Sequence, residues 1–370
     1  MNRLSILKYD LVSIALYIGL VSFGIINIYS SSFNGSSINL FDVNSIVGKQ
    51  VIFFLLSLVA LIFILFTRNK FFDDSASILY FLSTMLLVGL FFFGVERGGA
   101  KSWYALGPIS FQPSELAKFG TALFLSKFLS IIQTDLKKNR DILIVLIIIL
   151  VPLILTTIQP DPGSGLIFLA FIFPVIREGL NLNYFYFGLY IISTLLLTLK
   201  FNFLLCLAIL TIIFLTYLIY LINKKIKVSL FKFIFSFFIL ISISFSTNYL
   251  FENVLQQRHR DRINLVLGKE LDNSGIGYNI NQSKIAISNG GLFGTGFLEG
   301  TQTKGNFVPR QHTDFIFSTI GEEWGFIGTF TTILIFSFLI IRIITRADKQ
   351  PIHFRRIYSY CFASLVFFHF

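Results

Sequence analysis

Charge is scarce in this sequence, and so are cysteine, tryptophan, methionine and histidine. Charged residues fill 13% of the 370 positions, about half the roughly 25% of an ordinary soluble domain. So few charges cannot coat a water-soluble particle or keep a chain disordered, which excludes a soluble enzyme and an intrinsically disordered protein. The 2 cysteines, Cys206 and Cys361, both lie in apolar runs. They exclude a disulfide scaffold and have no metal-ligand spacing. The 4 histidines form no His-x-x-x-His or equivalent zinc pattern. A leader with a short apolar core and a small-residue cleavage site is also missing: the first apolar run, about 11–29, is too long for one.

What is present is apolar. Hydrophobic residues make up 55% of the chain, Phe alone supplies 46 positions, and the mean hydropathy is +0.77. One core cannot hide that much apolar surface from water. The net charge of +11 does not point to nucleic acid, because the basic excess sits in short runs between apolar segments. Membrane proteins carry their charge that way. The class is all-α: a polytopic α-helical protein of the inner-membrane type.

A span needs roughly 20 apolar residues. Eleven segments qualify, about 11–30, 47–66, 77–95, 115–131, 141–158, 164–177, 183–199, 201–222, 230–250, 315–342 and 355–370. The last reaches Phe370 with no polar cap, so the chain is expected to stop inside a span. The basic clusters are Arg3 with Lys8, Arg68 with Lys70, Lys137 to Arg140, Arg177, Lys224 to Lys227, and Arg342 to Arg356. All fall on one side if the spans simply alternate. The positive-inside rule then predicts a cytoplasmic N-terminus. The long polar stretch 251–314, before the tenth span, falls on the outer face and is where chemistry is expected.

Five blocks carry candidate residues. In GGAKSWYALGPISFQPSELAKF (98–119), Gly, Pro and Trp suggest a tight interfacial loop, after which Pro113 and Ser114 start a helix. Glu115 and Lys118 share a face three residues apart, at the start of an apolar span. They either pin the helix end or line a polar cavity. In QPDPGSG (159–165), Asp161 is a turn-former between two prolines or a site residue. In RHRDRI (258–263), Arg258, Arg260 and Arg262 alternate. An extended segment would project them to one side, toward a diphosphate or anionic lipid. ELDNSGIGYNINQSKIAISNGG (270–291) places Asp272, a turn-former or a general base, before a short amphipathic segment with Gln282 and Lys284. GGLFGTG (290–296) has no strand before it and no Lys-Ser/Thr after it, so it is not a nucleotide loop. Finally, PRQHTDFIFSTIGEEWGFIG (309–328) sets His312, Thr313 and Asp314 at the mouth of the tenth span, Thr313 or Asp314 as N-cap. Glu322 and Glu323 lie inside its apolar run.

Together, in this order and spacing, these blocks strongly resemble the SEDS family (shape, elongation, division and sporulation), from the first span to the end of the chain. The resemblance implies a single membrane domain over residues 1–370, in the bacterial cytoplasmic membrane. It implies a peptidoglycan glycosyltransferase that polymerises lipid II beside a class B penicillin-binding protein. Onto this chain it carries Asp272 as the essential acidic residue, Glu115 with Lys118, Asp161, and the run His312 to Phe315 with Asp314. Three features depart from the family. Asn273 stands where Pro is usual, an additional pair of apolar segments precedes the long loop, and the C-terminal Pro-Phe-x-Ser-Tyr-Gly-Gly motif is absent.

On that resemblance, Asp272 is expected to deprotonate the acceptor sugar hydroxyl, and Arg260, Arg262 and Lys284, with Gln282 nearby, to meet the departing diphosphate. A divalent cation, Mg or Mn, could share the second task. The rivals are a lipid-linked precursor flippase or other transporter, and a non-catalytic cell-wall scaffold. No convincing inverted repeat supports transport.

Overall fold

The fold is a computed structural model that describes residues 10–33, 40–97, 99–107, 109–131, 133–201, 203–223, 230–253, 255, 257–269 and 276–370. Its helices are α1 (Leu11–Ser32), α2 (Ile46–Phe66), α3 (Asn69–Phe93), α4 (Pro113–Ser130) and α5 (Asn139–Ile158). Next come α6 (Pro162–Leu166), a 3-10 turn (Ile167–Phe171) and α7 (Ile172–Arg177). Then follow α8 (Leu182–Lys200), α9 (Phe203–Asn223), α10 (Leu230–Asn253), α11 (Gln257–Val266), α12 (Ile276–Asn289), α13 (Thr301–Lys304), α14 (Ile316–Asp348) and α15 (His353–His369). Each of the eleven apolar segments falls on a helix or, for 164–177, on the run α6 to α7. Six helices among the described residues (α1, α2, α3, α5, α8 and α14) are long and apolar enough to cross a membrane. The chain is a polytopic α-helical membrane protein.

Two compact units are present, residues 1–181 with 283–370, and residues 182–282. In the first, α3 and α4 pack most intimately, through the small residues Ala76, Ser83 and Gly120. Lipid surrounding a helix is as apolar as leucine, so close backbone approach and hydrogen bonds hold such pairs together. Tyr80 donates to the Ile148 carbonyl at 3.1 Å, and Gln159 donates to the Leu87 carbonyl at 2.6 Å. Phe168 and Phe171 fill the centre with Leu87, Leu90 and Ile357, all fully buried. In the second unit, α8, α9 and α10 pack around Cys206, Leu210 and Leu240. A buried polar knot ties them, with the Thr198 and Ser244 hydroxyls 2.9 Å apart and the Cys206 sulfur 3.3 Å from Thr198.

The structure corrects four local expectations. The interfacial loop 98–114 is instead largely a small antiparallel sheet, β1 (Val95–Arg97), β2 (Ala100–Leu106) and β3 (Ile109–Phe111), in the order β1-β2-β3. The Trp103–Tyr104 segment pairs on both sides, so its backbone groups are satisfied next to the bilayer. Residues 258–263 are helical rather than extended. Alternate positions on a helix stand about 200° apart, so the three-arginine row has no common side. Neither Thr313 nor Asp314 caps the tenth apolar segment: the N-cap is Phe315, without a side-chain bond. That segment is also not one helix. At Gly325 the backbone adopts φ 65 and ψ −160.

The break at Gly325 is closed by the GGLFGTG loop. Thr295 and Gly296 donate their N–H groups to the Glu322 and Glu323 carbonyls at 2.9 and 3.1 Å. Phe326 and Ile327 donate theirs to the Gly291 and Leu292 carbonyls at 2.9 and 3.2 Å. Four backbone groups freed by the broken helix thus find partners in the loop, which non-helical backbone at membrane depth requires. Gly294 sits at φ 83, and a Cβ there would run into the Glu323 carbonyl. Gly325 is likewise at positive φ with the loop backbone against it.

Candidate functional site

The first turn of α4 gathers two of the sequence blocks. Pro113 opens the helix at a position where its missing N–H is harmless. Gln112 occupies the N-cap position but makes no cap. Its amide nitrogen donates instead to Asp161 at 3.1 Å and lies 3.4 Å from the Ser164 hydroxyl. Asp161 caps α6, accepting from the Ser164 N–H at 3.1 Å and the Ser164 hydroxyl at 2.9 Å. The turn chemistry of an Asx cap and a contact to the neighbouring block therefore coexist at this residue.

One turn further, Glu115 accepts from Lys118 at 2.7 Å. The lysine side chain is 3% exposed and the glutamate 55%. The Lys118 ammonium also lies 2.8 Å from Nε2 of His369, on the facing helix α15. An ammonium buried this deeply persists only with such partners. The three groups border a cavity of about 610 Å³ whose remaining walls are mostly apolar, among them Tyr17, Leu20, Phe336 and Phe362. This arrangement can hold one polar or anionic group inside an otherwise hydrocarbon-lined space.

The other sequence-named residues lie elsewhere. Lys284 is exposed on α12, His312 is half-buried and Asp314 is exposed, paired with Arg310 at 3.6 Å. In the second unit, Arg260 donates to the Glu252 carbonyl at 3.1 Å, and Gln282 is half-buried. Arg262 lies on α11. Asp272, the expected base, falls outside the described residues. No group of three or more His, Cys, Asp or Glu among the described residues could hold a metal.

Sequence reasoning assigned nothing to Glu322 and Glu323, which are 0% and 2% exposed. Glu322 closes the N-terminus of α13. It accepts from the N–H groups of Gln302 (2.7 Å) and Thr303 (2.9 Å) and from the hydroxyls of Thr303 (2.6 Å) and Thr301 (3.3 Å). Glu323 accepts from the Ser30 hydroxyl of α1. Gln311 ties the same region together, donating to the carbonyls of Ser31 (3.0 Å) and Thr303 (2.8 Å). The available signal was two adjacent acids inside an apolar run, next to a glycine-rich loop able to break it.

At the opposite end of α14, charges staple the bundle. Arg342 grips Asp10 through two nitrogens, the nearer at 2.8 Å, and Arg346 joins it at 3.2 Å. Burial pushes the Asp10 carboxyl up, but the Arg342, Ser13 and Arg346 contacts outweigh it and hold the group down at about 2. Arg177 pairs with Asp348 at 2.5 Å and Arg356 with Glu178 at 2.7 Å. The start of α1, the end of α7, the end of α14 and the start of α15 thus meet at one end. Span alternation required this of the Arg177, Arg342, Arg346 and Arg356 clusters.

Comparison with known proteins places this geometry. The pattern of the family described as cell cycle protein (FtsW, RodA, SpoVE) matches over residues 10–207 and 176–370. The peptidoglycan glycosyltransferase MrdB of Escherichia coli strain K12 is 29% identical over 77% of this chain, which spans 64% of that protein's length. The peptidoglycan glycosyltransferase RodA of Treponema pallidum is 29% identical over 86% of this chain and 78% of its own. A chain from a solved peptidoglycan synthase complex superposes with a TM-score of 0.67 at 22% identity, covering 96% of this chain and 83% of its own. That last likeness is one of fold. The family pattern, running from the first helix to Phe370, settles the classification: the chain belongs to the FtsW/RodA/SpoVE family of cell cycle proteins, the SEDS family.

Proposed function

We propose that the protein is a peptidoglycan glycosyltransferase that polymerises lipid II into glycan strands for cell-wall growth and cell shape. The observation that carries this is the family match along the chain, with relatives named as peptidoglycan glycosyltransferases. The reaction takes place at an anomeric carbon whose leaving group is undecaprenyl pyrophosphate. Asp272 takes the proton of the acceptor hydroxyl, and a cationic side chain of the 251–314 stretch meets the diphosphate as charge develops on it. The candidates remain Arg260, Arg262 and Lys284, with Gln282 as a hydrogen-bond donor, and because 258–263 is helical only one of Arg260 and Arg262 can take that role. The Glu115–Lys118 pair lines a polar pocket at the first turn of α4, with Asp161 bonded to Gln112 beside that turn; His312 and Asp314 are candidates for contacting substrate apart from it. A Mg or Mn ion bound with the diphosphate would share that charge; among the described residues no cluster of three or more His, Cys, Asp or Glu would hold it, and Asp272 lies outside them.

The orientation follows the charge pattern: N-terminus in the cytoplasm, the 251–314 stretch outside, in the bacterial cytoplasmic membrane. The working partner is a class B penicillin-binding protein that crosslinks the strands. The solved complex with the same fold, described as coordinating polymerization and crosslinking, supports this reading.

The test is a polymerisation assay with the protein and its partner, the partner's crosslinking blocked. Supplied with lipid II, the wild type should yield glycan ladders and Asp272→Asn none, although the variant inserts and assembles normally. Ladders from Asp272→Asn would overturn the assignment of the base. Lipid II crossing vesicles without ladders from either protein would favour a flippase.

A further inference from the structure

Along the face where α1 meets α14, two apolar grooves run into one another. One, of about 400 Å³, is walled by Leu11, Val12, Ala15, Leu16 and Gly19 of α1 and by Ile335 of α14. The other, of about 490 Å³, shares Gly19, Leu20 and Ile335 and continues to Phe23, Trp324 and Phe293. From Leu11 to Phe23 the path covers twelve helical steps, about 18 Å at 1.5 Å each. That is close to one leaflet's share, about 15 Å, of a 30 Å hydrocarbon core.

Among the described residues, the charged end of this path is unbalanced. Ile335, Arg342 and Arg346 stand seven and four residues apart, so they stack on one face of α14. Two guanidinium groups share the single carboxylate of Asp10, which also accepts from Ser13 at 2.6 Å. Arg342 spends three donor contacts on Asp10. Arg346 makes one ion pair with it, at 3.2 Å, and its side chain is 42% exposed. A guanidinium offers five donors in a plane, suited to a phosphate. Among the described residues, an apolar channel one leaflet long therefore ends at Leu11, next in sequence to Asp10, on whose single carboxylate two arginines converge.

We propose that this groove is a binding site for one anionic phospholipid, its phosphate on Arg346 and Arg342 and one acyl chain lying along α1 from Leu11 to Phe23. The occupant is a phospholipid rather than a polyprenyl diphosphate for two reasons. The groove is one leaflet long, which a polyprenyl chain overruns. Its charged end also lies at the far end of the bundle from Asp161 and the first turn of α4: α15 leaves the Asp348 end and reaches Lys118 only at its last turn, through His369. The site does not depend on which reaction the protein catalyses.

Native mass spectrometry of the full chain, released from membranes of equal palmitoyl-oleoyl phosphatidylglycerol and phosphatidylcholine, reads the occupancy directly. The wild type should retain one phosphatidylglycerol in preference to phosphatidylcholine. Arg346→Gln should lower that retention about fivefold, the weight of one arginine at an anionic lipid surface. Gly19→Leu should lower it as well, because a Cβ at Gly19 meets open space and the leucine fills the groove without a clash. Equal retention of the two lipids by the wild type would overturn the proposal, as would unchanged retention in both variants. Displacement of the phosphatidylglycerol by undecaprenyl diphosphate would overturn it in favour of the polyprenyl lipid. Loss of partner co-purification by Gly19→Leu, with lipid retention intact, would make the groove a docking site for a transmembrane helix instead.

Discussion

Replacing Glu322 with Ala should unlock the loop that spans the break in α14. The carboxylate is fully buried and accepts four hydrogen bonds from residues 301–303. Thr303 is 3% exposed, so its N–H and hydroxyl would lose their acceptor with no water to replace it. Each such orphan costs about 1–3 kcal/mol. The exposed Thr301 hydroxyl can turn to solvent, and removing a buried carboxylate returns part of its desolvation penalty. The net loss works out to about 2–4 kcal/mol, felt first as local opening of residues 299–306. Hydrogen exchange measured by mass spectrometry on peptides covering that segment should show protection falling about 30-fold for each 2 kcal/mol. Glu322→Gln keeps one acceptor oxygen and should lie between wild type and Ala. Glu299→Ala, an exposed control, should change little. If the Ala variant exchanges as slowly as wild type, the carboxylate does not hold this loop and the reasoning fails.

Gly294→Ala forces a Cβ at φ 83 into the Glu323 carbonyl and should lower the melting temperature in detergent. Gly24→Ala, on open helix surface, should leave it equal or raise it. Asp10 sits below its ordinary 3.8, at about 2, in the folded protein. Its contribution is therefore complete above about pH 4 and disappears as pH falls toward 2. A pH series of unfolding midpoints should show a smaller acid loss for Asp10→Asn than for wild type. Asp161→Ala removes the α6 cap and the Gln112 bond and should cost about 1–2 kcal/mol of stability, with Asn restoring most of it. Denaturation of both variants checks that order.

Some of this was legible because membrane helices are specified locally. A run of Leu, Ile and Phe is a span whatever surrounds it, since the bilayer demands length and internally satisfied backbone. That rule marked the apolar segments, six of which are helices long and apolar enough to cross a membrane among the described residues. The shared side of the basic clusters came from span alternation with the positive-inside rule, and Arg177, Arg342, Arg346 and Arg356 meet at one end. The family's motifs were legible as strings, because their glycines, prolines and acids punctuate apolar sequence in a fixed order.

What the tertiary structure decided are the pairings across the chain. No local rule pairs Gln112 with Asp161, Lys118 with His369 or Ser30 with Glu323, because hydrogen bonds between distant segments depend on which helix faces meet. Nor could spacing alone tell that 258–263 is helical rather than extended, for alternating arginines are compatible with both. The glycine loop is the clearest case. Read alone, GGLFGTG was only a loop that binds no nucleotide. In the fold it supplies the four backbone partners that a helix broken at Gly325 lacks. A break inside a membrane span is tolerated only where another part of the chain satisfies the freed groups, and that complement exists only once the chain has folded.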